Sequence, residues 1–258
     1  MRRGDVAVMS ISTALAAIVV AAVVYSVGVL DRTSPVTSSA AADTDSSVLV
    51  VTWGPSLCRV EKSNLGCASG HVGELGRMWI LHGLWPQPRD NEFCGVPEEL
   101  ASRARNTHGT DIPTVEISDS LNTDLQSLMS DSRVLVPHEW YTHGTCSGVT
   151  PEAYFGAAVA LTDQARAVLD PLFSDAEGER FTQNAVRERF DDAFGPSAGE
   201  RVGLTCRNVT GEGRVIYEIQ LSLPPVAAMR AADGPLSLGD QLAKGPPIPG
   251  TCHSGHVL

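Results

Sequence analysis

Three of the seven histidines in this 258-residue chain lie in two short segments, residues 82–86 (HGLWP) and residues 138–146 (HEWYTHGTC). The imidazole pKa lies near neutrality, so two histidines can donate and accept protons within one reaction. Each segment also contains a tryptophan, and a nucleobase that stacks on such a ring gains roughly 1–3 kcal/mol. We therefore expect a fold that brings these two distant segments into one site.

The second segment predicts a helix with one reactive face. At about 100° per residue, four of its side chains fall within an arc of about 140°, namely His138, Glu139, Thr142 and His143. The alternative interpretation of Glu139 is a solvated helix charge. The H-E-x-x-x-H spacing is one residue longer than the H-E-x-x-H of zinc proteases, so the second histidine is rotated away from the first. The sequence predicts no metal site, and no role is assigned to His71, His108, His253 and His256.

The two segments resemble the active-site segments of the ribonuclease T2 family. Members of this family are secreted, metal-independent acid ribonucleases. Weaker matches extend the resemblance from residue 48 to residue 252. They are the strand and Trp-Pro…Cys turn of residues 48–58, the pair Tyr154-Phe155, and the strand pair of residues 204–206 and 216–219.

The resemblance implies a role for each site residue. His143 would be the base that activates the ribose 2′-hydroxyl, and His82 would be the acid for the departing 5′-oxygen, giving a 2′,3′-cyclic phosphate. His138 would bind the phosphate, and Glu139 would polarise or hydrogen-bond the phosphoryl group. Trp85 would stack on the base 5′ to the cut. The expected activity is endonucleolytic cleavage of single-stranded RNA, not DNA, with no metal or other cofactor.

Two positions depart from the family pattern. Thr142 stands where the family usually carries a lysine, and we expect slower phosphoryl transfer by on the order of 10–10³-fold when such a charge is missing. Gln87 stands where an aspartate often reads the base, so base preference would differ. Two alternatives stay open. One is a catalytically weak or inactive member that acts as a cell-surface interaction or cytotoxic protein. The other is a different nuclease or phosphodiesterase that needs a metal.

The six cysteines indicate disulfides, because their number is even and the chain begins with an export segment. Sequence alone does not choose among the possible pairings. The resemblance implies three pairs, each worth ~2–4 kcal/mol: Cys58–Cys67, Cys94–Cys146 and Cys206–Cys252. Cys146 would then be structural rather than a nucleophile.

The N-terminus predicts export. Residues 6–30 are mostly apolar and follow two arginines. A signal peptide has an apolar core of about 7–15 residues, whereas a spanning helix needs about 20, so the length favours an uncleaved anchor. Three alanines at residues 40–42 favour a cleaved signal instead. Both alternatives place the part of the chain that follows this segment outside the cytoplasm. We assign residues 1–30 to the export segment or anchor, 31–47 to a flexible tether, and 48–258 to one catalytic domain, expected to be a monomer.

The net negative charge of the chain is unfavourable for binding the phosphate backbone of RNA. The formal net charge is −11, and the chain has only two lysines, Lys62 and Lys244. Since phosphate contacts normally come from lysine and arginine, we expect a local pocket that engages one or two nucleotides. We also expect a rate maximum below neutrality, because Glu139 and the acidic surface should help to keep the acid histidine protonated.

Local patterns predict an α+β fold, since strands and helices do not alternate steadily. The resemblance implies a central antiparallel sheet with packed helices. A helix start is indicated at Thr150, followed by Pro151. Helices are predicted over residues 119–129, 138–145, 151–169 and 182–194. Strands are predicted over residues 48–53, 78–84, 133–136, 202–206 and 215–223. Loops or extended segments are predicted over residues 174–179, 195–200 and 244–250.

Overall fold

The computed structural model describes residues 44–105, 112–229 and 235–258. The predicted export segment or anchor (1–30) and most of the predicted tether (31–47) lie outside these residues. Within the described part of the chain, no helix is both long enough and apolar enough to cross a membrane.

Six strands form one sheet in the order β2-β1-β5-β6-β3, with β4 also paired to β5. Their bounds are β1 (Ser46–Trp53), β2 (Trp79–Gln87), β3 (Arg180–Thr182), β4 (Val202–Val209), β5 (Gly213–Leu223) and β6 (Ser254–His256). All pairings are antiparallel except β5 with β6, which run parallel where Val215 faces His256. The α+β prediction is confirmed, and the sheet is mixed rather than wholly antiparallel.

Most predicted strands are present with shifted ends. The first strand begins at Ser46, because Ser46 and Ser47 pair with Gln87 and Pro86 of β2. These two serines therefore belong to the sheet, not to the tether. Strands β3 and β6 were not predicted, since three residues are too few to show an alternating pattern.

The helices of the described residues cover the remaining predicted elements and several more. They are α1 (Gly54–Val60), α2 (Leu65–Ala68), α3 (His71–Leu75), α4 (Glu98–Ala104), α5 (Asp119–Leu128), α6 (Ser132–Thr142), α7 (Pro151–Asp175), α8 (Gln183–Phe194) and α9 (Leu238–Lys244). Short 3₁₀ turns occur at Gly144–Cys146, Ala198–Arg201 and Val226–Ala228. Two predicted loops thus contain regular structure: α7 runs into residues 174–175, and Ala198–Arg201 forms a 3₁₀ turn.

The strand predicted over residues 133–136 is wrong. These residues form the first turns of α6, which begins six residues before the predicted helix start at residue 138. The apolar, β-branched content suggested a strand, but the Asp131 carboxylate accepts a hydrogen bond from the Arg133 backbone and caps a helix there. Val134 and Val136 are buried in this helical arrangement, so tertiary packing overrides their strand propensity.

Helix α7 holds the site strand β2 in place. It begins as predicted, with the Thr150 hydroxyl accepting from the Ala153 backbone. The Tyr154 hydroxyl donates to the Leu84 carbonyl of β2 at 2.5 Å. Further along α7, the Phe173 ring packs edge-on against Trp79 with 4.7 Å between centroids. The start of α7 is thereby tied to the histidine segment of β2.

Three disulfides join the pairs that the resemblance implies, Cys58–Cys67, Cys94–Cys146 and Cys206–Cys252. The second of these connects the loop after β2 to the 3₁₀ turn that follows α6. It therefore holds the two histidine segments in a common framework, and it leaves Cys146 without a free thiol.

Candidate active site

His82 lies at a β-bulge in β2. Val50 of β1 pairs with Gly83 and Val51 pairs with Leu81, so His82 is the extra residue opposite no partner. Bulges of this kind redirect a side chain and are common beside active sites. Here the imidazole keeps 31% of its surface exposed while its strand neighbours Leu81 and Leu84 are buried. The bulge thus directs one histidine out of a buried strand into a cleft.

Gly83 allows the helix α6 to approach this strand. A Cβ atom at this position would overlap the Glu139 carboxyl group and crowd the Trp85 indole nitrogen. Any larger residue would therefore push Glu139 away from the bulge. The glycine of the first segment is required by this close approach, which the sequence alone did not reveal.

The second segment supplies its side chains from the last turn of α6. His138 and Glu139 lie within the helix, and His143 is its C-terminal cap, with its backbone N–H still bonded to the Glu139 carbonyl at 3.0 Å. The His138 and His143 ring centroids are 6.4 Å apart. The helical arc predicted from the spacing is therefore present through His143.

Glu139 lies between the histidines of the two segments. It is 1% exposed, so the interpretation as a solvated charge is wrong. The Trp85 indole N–H donates to Oε2 at 2.9 Å. The other oxygen, Oε1, has no hydrogen-bond partner among the described residues. It lies 4.0 Å from His82 Nε2 and 3.9 Å from His138 Nε2. A buried carboxylate oxygen thus faces two imidazoles, and its charge is one of the causes that raise the pKa of His82.

The orientation of His138 is set by the backbone. Its Nδ1 lies 2.6 Å from the carbonyl oxygen of Ala104, at the end of α4. A carbonyl only accepts, so Nδ1 carries the proton and donates it. The opposite nitrogen, Nε2, therefore points at Glu139.

Trp85 separates the two candidate acid–base groups. Its ring centroid is 5.2 Å from that of His82 and 5.4 Å from that of His143. The Arg89 guanidinium lies over the same indole, 5.9 Å from the centroid. Away from this cleft, Trp53 and Trp79 are fully buried, and the partly buried Trp140 packs edge-on against Tyr154.

Glu218 belongs to the site and was missed in the sequence. It lies on β5, beside β1, and His82 Nδ1 donates to its Oε1 at 2.9 Å. Its side chain is only 7% exposed. A signal was available, because a glutamate flanked by apolar residues in a strand is expected to be buried and therefore paired. The local pattern could not show that its partner is His82.

The environments of His82 and His143 displace their pKa values in opposite directions. Burial by itself would lower the pKa of His82, but the hydrogen bond to Glu218 and the charges of Glu139, Glu218 and Glu61 outweigh it and raise the pKa to about 9. Burial lowers the pKa of His143 and outweighs the charges of Glu139 and Glu92, which act in the opposite direction. Between these two pKa values His143 is neutral while His82 is protonated.

This separation changes the expected pH dependence. A neutral base paired with a charged acid predominates from the lowered pKa of His143 up to a pKa of about 9 for His82. The rate should therefore form a plateau that crosses neutrality. The sequence predicts a maximum below neutrality from Glu139 and the acidic surface, and a measured pH–rate profile decides between that maximum and this plateau.

Thr142 and Gln87 make fewer contacts with the site histidines than the other predicted site residues do. Thr142 is 4% exposed, and its hydroxyl has no hydrogen-bond partner among the described residues. The Gln87 amide donates to the Trp85 carbonyl at 3.2 Å, which uses its nitrogen within its own strand. Neither side chain brings a charge to the imidazoles.

A cleft of about 640 Å³ opens beside His82. Its walls include Thr52, Glu61, Lys62, Asp131 and Tyr217. This volume is adequate for one nucleoside, and sites of this size are usual for small ligands.

Comparison with known proteins assigns the chain to a family. Residues 44–232 match the ribonuclease T2 family. The chain belongs to the ribonuclease T2 family. It is 28% identical over 198 residues to ribonuclease MC of Momordica charantia, covering 74% of this chain and 91% of the relative. It is 29% identical over 186 residues to ribonuclease I of Escherichia coli (strain K12), covering 70% of this chain and 63% of the relative.

Solved structures agree on the fold. Ribonuclease MC1 from the seeds of bitter gourd matches with a TM-score of 0.51 at 21% identity, covering 82% of this chain and 99% of that one. A self-incompatibility associated ribonuclease of Nicotiana alata matches with a TM-score of 0.50 at 18% identity. The match covers 72% of this chain and 89% of that one. The protein is a T2-type ribonuclease with RNA as its substrate. Its three disulfides indicate an extracytoplasmic location, because disulfides persist in oxidising compartments.

Proposed function

We propose that this T2-family ribonuclease is a metal-independent endoribonuclease that cuts single-stranded RNA by transphosphorylation. One observation carries the proposal. Two imidazoles flank Trp85, and their surroundings hold one protonated and the other neutral at the same pH. Pairs of groups with pKa values pushed apart are the usual assignment of acid and base.

The reaction uses a nucleophile that the substrate already carries. Neutral His143 takes the proton of the ribose 2′-hydroxyl, and that oxygen attacks the adjacent phosphorus. Protonated His82 gives its Nε2 proton to the departing 5′-oxygen, and a 2′,3′-cyclic phosphate forms. The two roles reverse when water opens the cyclic ester. Each proton transfer typically contributes 10²–10⁴-fold.

The other side chains act on charge and position. We propose that His138 binds the phosphate through Nε2, because its Nδ1 is held by Ala104. Glu139 acts through the histidines rather than on the phosphate, since its free Oε1 faces two imidazole nitrogens. A direct contact between its carboxylate and an anionic phosphoryl group would be repulsive.

The substrate's direction follows from the acid. His82 lines the cleft of about 640 Å³, so the nucleoside that departs with its 5′-oxygen occupies this cleft. The base 5′ to the cut stacks on Trp85, whose indole remains partly exposed. Gln87, two residues further along the strand, is proposed to influence base preference.

We also propose that residues 1–30 direct export, either as a retained anchor or as a cleaved signal, and that the enzyme acts as a monomer. Mass determination of the N-terminus of the mature protein, together with its partition between membrane and soluble fractions, decides between anchor and cleaved signal. Sedimentation of the exported form tests the monomer.

Incubation with single-stranded RNA should give fragments that end in 2′,3′-cyclic phosphate, with undiminished rate in excess EDTA. DNA should stay intact, because it lacks the 2′-hydroxyl. Product ends are identified by mass spectrometry. Loss of RNA cleavage on chelation would favour the metal-dependent alternative. Complete inactivity would favour the non-catalytic one, whose support in the sequence is Thr142 in place of lysine.

Glu218→Gln should move the basic limb of the pH–rate profile toward acid. If the pKa of His82 falls from about 9 to its ordinary 6.5, its protonated fraction at pH 8 falls by up to about 30-fold, whereas at pH 6 it changes little. The measurement is kcat/KM on a dinucleotide from pH 5 to pH 10. Glu177→Gln, at an exposed carboxylate paired with Arg77, is the matched control. A loss that is uniform across the pH range would mean that Glu218 has only a structural role.

A further inference from the structure

Glu218 lies between two threonines in the sheet. In the antiparallel register, Thr52 of β1 and Thr205 of β4 pair with Glu218 of β5 from opposite sides. Residues that pair directly across antiparallel strands place their side chains on the same face, with Cβ atoms about 4.5–5.5 Å apart. Thr52, Glu218 and Thr205 thus form a polar row across three strands. The Glu218 carboxylate in its middle accepts the hydrogen bond from His82 Nδ1 at 2.9 Å.

Both threonine hydroxyls of the polar row are buried. Thr52 is 2% exposed and Thr205 is 6% exposed. Neither Oγ1 atom has a hydrogen-bond partner among the described residues. A buried hydroxyl without a partner is destabilising, and bound water usually satisfies such groups. Thr52 also lines the cleft beside His82, so water from the cleft can reach the row. The two hydroxyls are therefore available to donate towards the carboxylate between them.

The charged groups around the polar row do not replace these donors. Glu139 on α6 and Glu61 at the end of α1 are themselves carboxylates, and both act on the imidazole through their charges. Tyr217 stands at a bulge of β5, opposite no residue of β4, and its hydroxyl donates to Glu61. The Arg207 guanidinium of β4 lies over the Tyr217 ring, 5.1 Å from the centroid. The tyrosine hydroxyl is thus already engaged, whereas the two threonine hydroxyls are not.

Donors beside Glu218 favour the neutral form of His82. When His82 is protonated, its charge compensates that of the carboxylate. When His82 is neutral, the buried carboxylate depends on hydrogen bonds for its stabilisation, so the donors lower the free energy of this form more. They thereby limit the rise that the carboxylates impose on the pKa of His82, which reaches about 9. An acid that holds its proton less tightly donates it more readily to the departing oxygen.

We propose that Thr52 and Thr205 are positioning residues for the acid, and that their hydroxyls donate through bound water to the Glu218 carboxylate. The inference rests on the proposed function, in which His82 is the acid. In this role the two threonines act through Glu218 and weaken its hold on the His82 proton.

Titration of His82 by nuclear magnetic resonance tests the polar row without reference to catalysis. Valine at Thr52 or at Thr205 keeps the shape of the side chain and removes the hydroxyl. Each valine variant should raise the pKa of His82 by about 0.5, a roughly threefold decrease in its acid dissociation constant. Serine at the same position keeps the hydroxyl and should retain the wild-type pKa. In the valine variants the basic limb of kcat/KM should move to higher pH by the same amount, and kcat on the plateau should fall about twofold.

Thr162→Val is the matched control. Thr162, on α7, is also fully buried, and its hydroxyl likewise lacks a hydrogen-bond partner among the described residues. This variant should leave the pKa of His82 and the rate unchanged. A thermal melt checks the folding of every variant, and alanine replaces valine at a position where the valine variant does not fold.

Two results would overturn the proposal. One is a His82 pKa that is unchanged or lowered in either variant of the polar row, since loss of a donor must raise it. The other is an equal rise in Thr162→Val, which would show a general effect of removing a buried hydroxyl. Failure of the proposed function is seen separately. The pKa of His82 would then rise as expected while the pH–rate profile stayed unchanged, because His82 would not be the acid.

Discussion

Alanine at His82 or at His143 is expected to lower kcat on RNA by about 10²–10⁴-fold. Each substitution removes one of the two proton transfers, and no other described side chain occupies either position beside Trp85. The two variants should differ in pH dependence. His82→Ala should lose the basic limb that the raised pKa of His82 produces, and His143→Ala should lose the acidic limb.

A change of leaving group separates the two roles further. A nucleoside 3′-(4-nitrophenyl phosphate) has a leaving group that needs no proton at neutral pH. His82→Ala should therefore recover much of its activity on this substrate, while His143→Ala should not, since the 2′-hydroxyl still needs a base. His253→Ala, at an exposed histidine, serves as the control for removal of an imidazole. Equal rescue of both variants would contradict the assignment of acid and base, and full activity of both on RNA would show that the site is elsewhere.

Thr142→Lys should raise kcat and kcat/KM together by about 10–10³-fold, the effect of an electrostatic donor that acts mainly in the transition state. Residue 142 lies three positions after Glu139 on α6, a spacing at which side chains meet. Among the described residues, the Glu139 Oε1 atom has no hydrogen-bond partner. A lysine stem in this buried position can bring its ammonium to Glu139 and to the position proposed for the phosphorus between the histidines.

Thr142→Met is the matched control, because it adds a similar unbranched stem without the charge. A thermal melt of each variant excludes a loss of folding. If methionine raises the rate as much as lysine, packing rather than charge is responsible. If the native enzyme is already fast and lysine changes nothing, another cation supplies the charge. Arg89 over the Trp85 ring is the candidate, and Arg89→Gln should then lower kcat.

Much of the site was predictable because its residues are close together in the chain. The helical spacing from His138 to His143 follows from 3.6 residues per turn and needs no knowledge of the fold. The start of α7 at Thr150 and Pro151 is a local signal of the same kind. The resemblance of the two segments added the expectation that His82 joins this helix, and it implied the cysteine pairing that the structure contains.

Other properties depended on neighbours that are distant in sequence. Residues 133–136 have the composition of a strand, yet a cap at Asp131 and burial of their apolar side chains make them helical. Glu218 becomes the partner of His82 only because β1 lies between β2 and β5 in the sheet, so that β5 runs close to the bulge. No periodicity within either segment carries this information.

The sequence by itself indicated which imidazoles and which helix carboxylate are candidates for the chemistry, since such groups at helical spacing are recognisable from residue type and position alone. The tertiary structure decided which imidazole is charged. Protonation depends on burial and on the carboxylates within a few ångströms, and these are set by strand register at the His82 bulge and by the approach of Glu139 over Gly83. Acid and base are therefore properties of the assembled fold, although both are histidines.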